Sequence, residues 1–198
     1  MPAYHCSVEV LVVVLGYLLG TAPTAQLVGR RVGRDPTREG SRNPGASNVY
    51  RTAGARAGAA VFAGDLLKGV VATSIGLLAG DRVLGLACGA AAVLGHVVPI
   101  TRRFRGGKGV ATACGMVVVL FPVLALLAAA VWGTVVKLSR TASVASLAVA
   151  VLLPLGVAVT GHAAREVLGV AAVAVLVVAR HAGNIRRLAR GDERTLQA

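Results

Sequence analysis

The chain has 198 residues, of which 56% are hydrophobic and only 15% are charged, yet its formal net charge is +13. Soluble domains have roughly 25% charged residues, so this composition excludes an ordinary water-soluble protein, and its high hydrophobicity excludes a disordered one. We therefore expect an integral membrane protein, organised as a single membrane-embedded domain over residues 1–198.

Apolar stretches suited to crossing a bilayer follow one another along the chain. A spanning helix needs about 20 mostly apolar residues, because the hydrocarbon core is about 30 Å thick. The candidate stretches are 8–29, 57–79, 83–100, 110–136, 142–160 and 167–179. The first stretch is not predicted to be a secretory signal, since no Lys or Arg precedes Arg30.

The stretch 110–136 decides the topology. As one helix it would be about 40 Å long, but it contains Pro122, and proline commonly breaks or kinks a helix. We therefore predict an all-α polytopic bundle of about seven transmembrane helices, with the N-terminus outside and the C-terminus inside. A six-span chain kinked at Pro122 is the alternative.

Basic residues are concentrated between the apolar stretches. Eighteen of the 21 Lys and Arg residues fall in segments 30–56, 101–109, 137–140 and 180–194. Cytoplasmic loops of membrane proteins carry an excess of these residues, so all four segments are predicted to face the cytoplasm.

A few polar residues lie outside those segments. Asp65 and Lys68, three residues apart inside an apolar stretch, are predicted to form a structural pair, or Asp65 to contact a loop arginine, because charges within a span are usually paired or functional. Arg82 and Glu166 are predicted to be plain helix ends.

The three cysteines are an odd number and widely spaced. Cys6, Cys88 and Cys114 therefore indicate no disulfide framework and no metal site. We predict that they are small buried hydrophobic side chains.

The first basic segment contains a run of small and polar residues, Gly40-Ser41-Arg42-Asn43-Pro44-Gly45-Ala46-Ser47-Asn48-Val49-Tyr50-Arg51. Backbone N–H groups and short polar side chains in such a loop can line a concave surface, and Arg51 beside it suits a phosphate or carboxylate. A flexible solvated turn is the alternative.

The second basic segment follows Gly95-His96-Val97-Val98-Pro99 and contains Gly106-Gly107-Lys108-Gly109-Val110-Ala111-Thr112, which leads into an apolar helix. Glycines and a lysine before a helix N-terminus form an anion-binding arrangement. The nucleotide-binding pattern GxxxxGK[ST] is absent, because Arg102 and Gly109 stand at two of its required positions. Alternatively, Lys108 is only an anchor at the membrane surface.

The third basic segment contains Arg180-His181-Ala182-Gly183-Asn184-Ile185-Arg186-Arg187-Leu188-Ala189-Arg190-Gly191-Asp192-Glu193. If the last helix continues through it, His181 and Asn184 share a face. A histidine near a membrane surface is often only interfacial, but the companion Asn184 and the surrounding positive charge favour a functional role.

Together these segments resemble the three cytoplasmic motifs of the bacterial acyl-phosphate:glycerol-3-phosphate acyltransferases, the PlsY family. The likeness covers nearly the whole chain, with the motifs in order and in register with the predicted spans. Two departures are small: Ser47 stands where the family usually has Thr, and Pro44 adds stiffness to the first motif.

The resemblance implies a bacterial plasma-membrane enzyme of phospholipid synthesis whose active site faces the cytoplasm. It would transfer a fatty acyl group from acyl phosphate to the sn-1 hydroxyl of glycerol 3-phosphate, giving 1-acyl-glycerol 3-phosphate (lysophosphatidic acid) and phosphate. It implies no metal or organic cofactor and no nucleic-acid partner. A separate enzyme would produce the acyl phosphate.

On this basis we assign roles to the motif residues. The expected catalytic residues are Ser41, Arg51, Lys108, His181 and Asn184. The expected substrate contacts are Asn43, Gly45, Ser47, Asn48, His96, Gly106, Gly107, Gly109 and Thr112. Asp65, Lys68 and Glu193 are expected to be structural.

Within these sets the chemistry divides by residue type. We expect Arg51 and Lys108, with Ser41, Ser47 and Asn48, to bind phosphate, and Asn184 to stabilise the oxyanion. The base that receives the hydroxyl proton is either His181 or the donor's own phosphate, and both possibilities stay open.

Two rival functions are compatible with the charge pattern. One is a transporter or channel for organic anions, and the other is a protein that only binds anionic lipid or nucleic acid through its basic loops. Transporters tend to place polar sites near the bilayer midplane, often between inverted repeats. Here the polar residues gather at one face and the sequence shows no repeat, which favours the enzyme.

Overall fold

A computed structural model describes residues 2–196 of the chain, with side chains from Val8 to Leu196. Cys6 therefore lies outside the described side chains. Every regular element in the described part is helical, as predicted. The elements are α1 (Pro2–Gly20), α2 (Thr24–Arg31), α3 (Ala46–Ala79), α4 (Arg82–Val97), a 3₁₀ turn (Ile100–Arg102), α5 (Val110–Leu120), α6 (Pro122–Ser139), α7 (Ala142–Val159), α8 (Ala164–Arg180) and α9 (Ala182–Arg190).

Several of these helices are long and apolar enough to cross a membrane. Five segments meet that description in the described residues, and a sixth is obtained when α8 and α9, which meet at 54°, are taken as one bent span. Helix α5 has only 11 residues, about 16 Å of helix. The membrane helix bundle is thus confirmed, whereas the count of seven spans and the orientation of the termini stay predictions.

The predicted break at Pro122 is present. Helix α5 ends at Leu120 and α6 begins at Pro122, with Phe121 between them in a non-helical conformation. Proline suits the first position of a helix because its missing N–H needs no partner there. The stretch 110–136 is therefore two helices.

Helix α3 differs from the prediction, because it begins at Ala46 and includes residues expected to be loop. A break at Gly54 separates the first part of α3 from the rest. The φ angle of Gly54 is +85°, which glycine adopts without strain. Tyr50 packs back against Gly58, where an added Cβ would lie 2.7 Å from the Tyr50 Cβ. Half of the first motif is thus a short helical segment, which fixes the direction of its side chains.

Helices α3 and α5 approach each other closely through glycine. A Cβ at Gly69 would lie 2.0 Å from the carbonyl oxygen of Thr112, and one at Gly115 would lie 2.1 Å from that of Leu66. Small residues allow such backbone contact in membrane proteins. The short helix α5 is therefore held directly against the long helix α3. The first motif lies near the start of α3.

The predicted pair between Asp65 and Lys68 is present and buried. Lys68 Nζ lies 2.7 Å from Asp65 Oδ1, and it donates to the Ala22 carbonyl at 3.0 Å. Helix α1 ends at Gly20, whose carbonyl also accepts from Lys68 Nζ at 3.4 Å, and carbonyls at a helix end lack helical partners. Lys68 therefore also binds the end of α1.

The prediction that Arg82 and Glu166 are plain helix ends is wrong. Arg82 Nε lies 2.8 Å from Glu166 Oε1, and Arg82 Nη2 donates to the carbonyl of Leu120 at 3.0 Å. The Arg82 guanidinium also lies over the Phe121 ring, 5.4 Å from its centroid. These contacts tie α4, α8 and the α5–α6 break together, a tertiary arrangement that sequence spacing does not reveal.

Candidate functional site

The three basic motifs meet at one end of the bundle around a cavity of about 990 Å³. Its lining includes Ser41 and Asn43 from the first motif, Lys108 from the second and Asn184 from the third. The other cationic side chains that line it are Arg30, Arg34, Arg38, Arg42, Arg102, Arg105, Arg180, Arg187 and Arg194. Asp35 is the single carboxylate in this lining, so the basic cavity is suited to anions.

A second cavity of about 950 Å³ extends from this point between the helices. Its walls are mostly apolar side chains of α3, α5, α6, α7 and α8, among them Phe62, Val117, Trp132 and Val173. Such a groove suits a hydrocarbon chain.

The basic cavity and the apolar groove share part of their lining. The shared residues are Ser41, Asn43, Lys108, Asn184, Arg187 and Arg194. A molecule with an anionic group in the basic cavity and an alkyl chain in the groove would place its polar junction beside these side chains.

A chain of hydrogen bonds links the second and third motifs at this junction. Lys108 Nζ donates to Asn184 Oδ1, and Asn184 Nδ2 donates to Glu193 Oε1. Because an amide nitrogen carries two N–H groups, Asn184 has a second donor beyond the one that Glu193 accepts. The sequence expectation that Lys108 and Asn184 act at one place agrees with this geometry.

Glu193 organises the other side of Asn184. Ser143 at the start of α7 donates to Glu193 Oε1 at 3.0 Å, and Arg187 lies 2.7 Å from Glu193 Oε2. Burial raises the pKa of Glu193, but hydrogen bonds from Asn184, Ser143 and Arg187 outweigh burial and hold this pKa below its usual value. Glu193 is therefore ionised at neutral pH and fixes the amide orientation of Asn184.

The pKa of Lys108 is lowered to about 8, mainly because burial penalises its charged form. The Glu193 carboxylate raises this pKa, while the positive charges of Arg187, Arg51 and Arg180 lower it. An anion bound beside Lys108 would offset the cost of its buried charge.

In the first motif, Asn48 does not contact the cavity in the way expected. Its side chain is buried and accepts from the Ser41 N–H at 2.8 Å, and it donates to the carbonyls of Pro36 and Glu39 at 3.0 and 3.1 Å. Its amide is thus committed to the backbone, and the expectation of phosphate binding is corrected to one of shaping the loop that presents Ser41.

The glycines of the second motif pack closely against helix α4. A Cβ at Gly106 would lie 2.1 Å from the carbonyl oxygen of His96, and one at Gly107 would lie 2.1 Å from His96 Nε2. Gly107 lines neither cavity, and its contact with substrate stays a prediction. Gly106 lines the basic cavity and Gly109 the groove.

His96 joins this turn to the buried pair beneath it. Its carbonyl accepts from the Gly107 N–H at 3.1 Å, and its Nδ1 lies 3.3 Å from Lys68 Nζ and 3.5 Å from Asp65 Oδ1. The ring is therefore directed to Asp65 and Lys68, although His96 also borders the groove.

Thr112 is the third residue of α5. It is fully buried, lines neither cavity and packs where α5 meets Gly69 of α3. A contact of Thr112 with substrate stays a prediction.

His181 lies at the bend between α8 and α9, buried at the wall of the groove. Its Nδ1 lies 2.7 Å from the carbonyl oxygen of Val177. Because a carbonyl can only accept, Nδ1 carries the proton, and Nε2 of the neutral ring is then a proton acceptor. This is the tautomer that a general base requires.

The remaining expected residues all border the groove. Gly45, Ser47 and Arg51 of the first motif lie along it. The structure thus brings most of the expected set to one place. Gly107, Thr112 and Lys68 line neither cavity.

Sequence reasoning assigned no role to three contributors. Ser143 and Arg187 hold Glu193, and Arg180 contacts the glycine turn, where it donates to the carbonyls of Gly106 and Gly107. Arg180 and Arg187 belong to the third motif. The partners of Arg180 are more than 70 residues away, whereas Glu193 is only six residues from Arg187. The basic composition of that segment does not separate them from exposed arginines.

Comparison with known proteins gives a consistent family. The family model described as glycerol-3-phosphate acyltransferase matches residues 10–191. A glycerol-3-phosphate acyltransferase of Rubrobacter xylanophilus is 45% identical over 94% of both chains. One of Desulforudis audaxviator is 43% identical over 93% of both chains.

A solved structure agrees with these relatives. The crystal structure of PlsY, an integral membrane glycerol 3-phosphate acyltransferase in its glycerol 3-phosphate form, superposes with a TM-score of 0.90 at 34% identity, covering 94% of each chain. Its lysophosphatidic acid form superposes with a TM-score of 0.89. The chain therefore belongs to the glycerol-3-phosphate acyltransferase family of multi-pass membrane proteins, the PlsY family.

Proposed function

We propose that the protein transfers a fatty acyl group from acyl phosphate to the sn-1 hydroxyl of glycerol 3-phosphate, releasing 1-acyl-glycerol 3-phosphate and inorganic phosphate. The observation that carries this proposal is the junction of the basic cavity with the apolar groove at Ser41, Asn43, Lys108 and Asn184. The relatives are named for acyl transfer to glycerol 3-phosphate, which supports the acceptor.

The choice of acyl phosphate as donor rests on the chemistry of the junction. Both substrates would carry a phosphate, and the basic cavity supplies many cations for two such groups. An acyl phosphate is a mixed anhydride and is already activated, so the protein needs mainly to position it and to stabilise charge. In the described residues no group of three His, Cys, Asp or Glu side chains is arranged to hold a metal ion.

In the proposed reaction the glycerol 3-phosphate hydroxyl attacks the carbonyl carbon of the donor. The new C–O bond forms as the bond from the carbonyl carbon to the bridging oxygen breaks, and phosphate leaves with that oxygen. Lys108 and Arg51 bind phosphate, with Ser41 and Ser47, and the second N–H of Asn184 stabilises the oxyanion.

The hydroxyl proton passes to His181 Nε2 or to the phosphate of the donor. The tautomer of His181 suits the first route, because Nδ1 is held by Val177. No acyl-enzyme intermediate is required, so Ser41 acts as a hydrogen-bonding group and not as a nucleophile.

We also propose that the basic end faces the cytoplasm of a bacterial plasma membrane, with seven spans and the N-terminus outside. A separate enzyme would then supply acyl phosphate from the cytoplasmic side. The excess of Lys and Arg at one end supports this orientation.

The orientation is tested by labelling single cysteines in cells, in a background without native cysteines. Arg165 at the start of α8 and Arg190 in α9 are both exposed. A membrane-impermeant maleimide should label Arg165→Cys in intact cells and Arg190→Cys only after the membrane is opened. The reverse pattern would contradict the orientation.

The reaction is tested with purified protein in detergent, given glycerol 3-phosphate and either palmitoyl phosphate or palmitoyl-CoA. We expect phosphate and 1-acyl-glycerol 3-phosphate from the first donor only, with the sn-1 ester identified by NMR. Product from palmitoyl-CoA alone would contradict the assignment of acyl phosphate as the donor. No product from either, with glycerol 3-phosphate uptake into proteoliposomes, would favour the transporter.

A further inference from the structure

Arg180 at the end of α8 makes contacts that the proposed reaction does not use. Its Nε donates to the Gly107 carbonyl and its Nη2 to the Gly106 carbonyl, both at 3.3 Å. Gly106 and Gly107 are buried, whereas Arg180 is exposed. The guanidinium therefore covers a buried glycine turn from the solvent side and makes a two-point contact with it.

The same turn is held from the opposite side by helix α4. All peptide bonds in the described residues are trans, so each peptide N–H points away from the carbonyl of the same peptide. The Gly106 carbonyl points to Arg180, and the N–H of the same peptide, which belongs to Gly107, donates to the His96 carbonyl at 3.1 Å. Arg180 and α4 thus fix the rotation of this peptide between them.

The next peptide connects the turn to Lys108. Its carbonyl, that of Gly107, is also held by Arg180, which fixes the direction of the Lys108 backbone. The Lys108 ammonium in turn contacts Asn184, one turn beyond Arg180 in the third motif. The third motif therefore holds both the backbone of Lys108, through Arg180, and its ammonium group, through Asn184.

We propose that Arg180 is a positioning residue for glycerol 3-phosphate: it locks the Gly106–Gly107 turn so that Lys108 meets the phosphate of the acceptor. This inference rests on the proposed function for its substrate. The forked geometry of arginine, with parallel N–H donors, is what allows two adjacent carbonyls to be held at once.

The test compares Arg180→Gln and Arg180→Lys with Arg186→Gln as a matched control. Arg186 is exposed in α9 and lines neither cavity. We expect Arg180→Gln to raise KM for glycerol 3-phosphate about tenfold, with KM for acyl phosphate within about twofold of wild type. Arg180→Lys should keep most of the defect, because a single ammonium cannot reproduce the fork.

Alternatively, Arg180 contacts the phosphate directly. A double-mutant cycle that combines Arg180→Gln with Gly107→Ala distinguishes this possibility from action through the turn. An added Cβ at Gly107 displaces the turn against the His96 ring. If Arg180 acts through the turn, its loss adds little to the Gly107→Ala defect, whereas independent effects multiply. Multiplying effects, full recovery by Arg180→Lys, or an equal defect in Arg186→Gln would overturn the proposal.

Amide hydrogen exchange measures the stability of the turn without depending on the reaction. The amides of residues 104–109 should exchange faster in Arg180→Gln, or in Arg180→Lys if the first variant is not recovered, and should be unchanged in Arg186→Gln. Unchanged exchange in the Arg180 variants would overturn the proposal even with an active enzyme. An inactive wild-type protein with faster exchange in these variants would overturn the proposed function and leave the locking contact supported.

Discussion

At the scale of single residues, Lys108 combines a charge with burial at the junction of the two cavities. Its ammonium is paired with a neutral amide oxygen, that of Asn184, and burial lowers its pKa to about 8. Its charge is thus available at neutral pH and is lost just above it. The affinity of the site for anions should therefore change with pH over a range that kinetic assays can cover.

The pH dependence follows from the sign of that shift. As pH rises through 8 the free protein loses the Lys108 charge, so KM for glycerol 3-phosphate should rise, reaching about tenfold near pH 9. Steady-state kinetics from pH 6.5 to 9.5 measure this rise. Lys108→Arg, which stays charged, should give a flat KM over the same range, and a flat wild-type profile would contradict the assignment.

His181 offers a second prediction at this scale. If its Nε2 accepts the hydroxyl proton, His181→Ala should lower kcat by about 100-fold or more with little change in either KM. Rapid-quench or phosphate-release assays measure kcat directly. A loss of less than about threefold would assign the proton to the donor's phosphate instead.

Single residues differ in how far the sequence predicts them. Lys108 and Asn184 were predictable because a glycine–lysine turn and a polar pair in a basic segment are local patterns. Asn48 was not, because its role depends on carbonyls nine and twelve residues away. The full burial of Thr112 was not predictable either, because it depends on how α5 packs against α3.

At the scale of helices, the close contact between α3 and α5 sets the position of the second motif. Helix α5 is short and begins directly after Lys108 and Gly109. Any separation from α3 would therefore shift the anion-binding end of the site. Gly69, at the contact, is the position most sensitive to an added side-chain atom.

We expect Gly69→Ala to destabilise the protein by about 1–3 kcal/mol, since its Cβ would lie 2.0 Å from the Thr112 carbonyl oxygen. Thermal unfolding in detergent measures this as a lower Tm, with a loss of activity at the same temperature. The control is Gly133→Ala in α6, where a Cβ has no neighbour within 4 Å. Equal Tm values for the two variants would contradict the packing account.

Helices were predictable where a local signal marks them. Pro122 divides α5 from α6 as expected, because the effect of proline is local. The helical start of α3 was missed, since its small polar residues are typical of turns, and the break lies at Gly54, beyond the motif. Arg82 contacts Glu166, 84 positions along the chain, and Leu120, 38 positions along, and no local pattern encodes these contacts.

At the scale of the whole molecule, charge and apolarity are separated into two adjoining cavities. The basic cavity collects side chains from all three motifs, and the groove runs from it between the helices. Composition predicted this separation, and the motifs predicted which segments meet. The depth of the groove and the hydrogen bonds of Glu193 depend on tertiary packing, which the sequence alone does not give.

The most direct test of this convergence is a double-mutant cycle on kcat/KM for glycerol 3-phosphate with Lys108→Met and Asn184→Ala. The two side chains are hydrogen-bonded at one site. Each single variant should therefore lower kcat/KM about 100-fold or more, and the double variant should have a kcat/KM close to that of the less active single variant. Losses that multiply, or wild-type activity in either single variant, would contradict a shared site built from the second and third motifs.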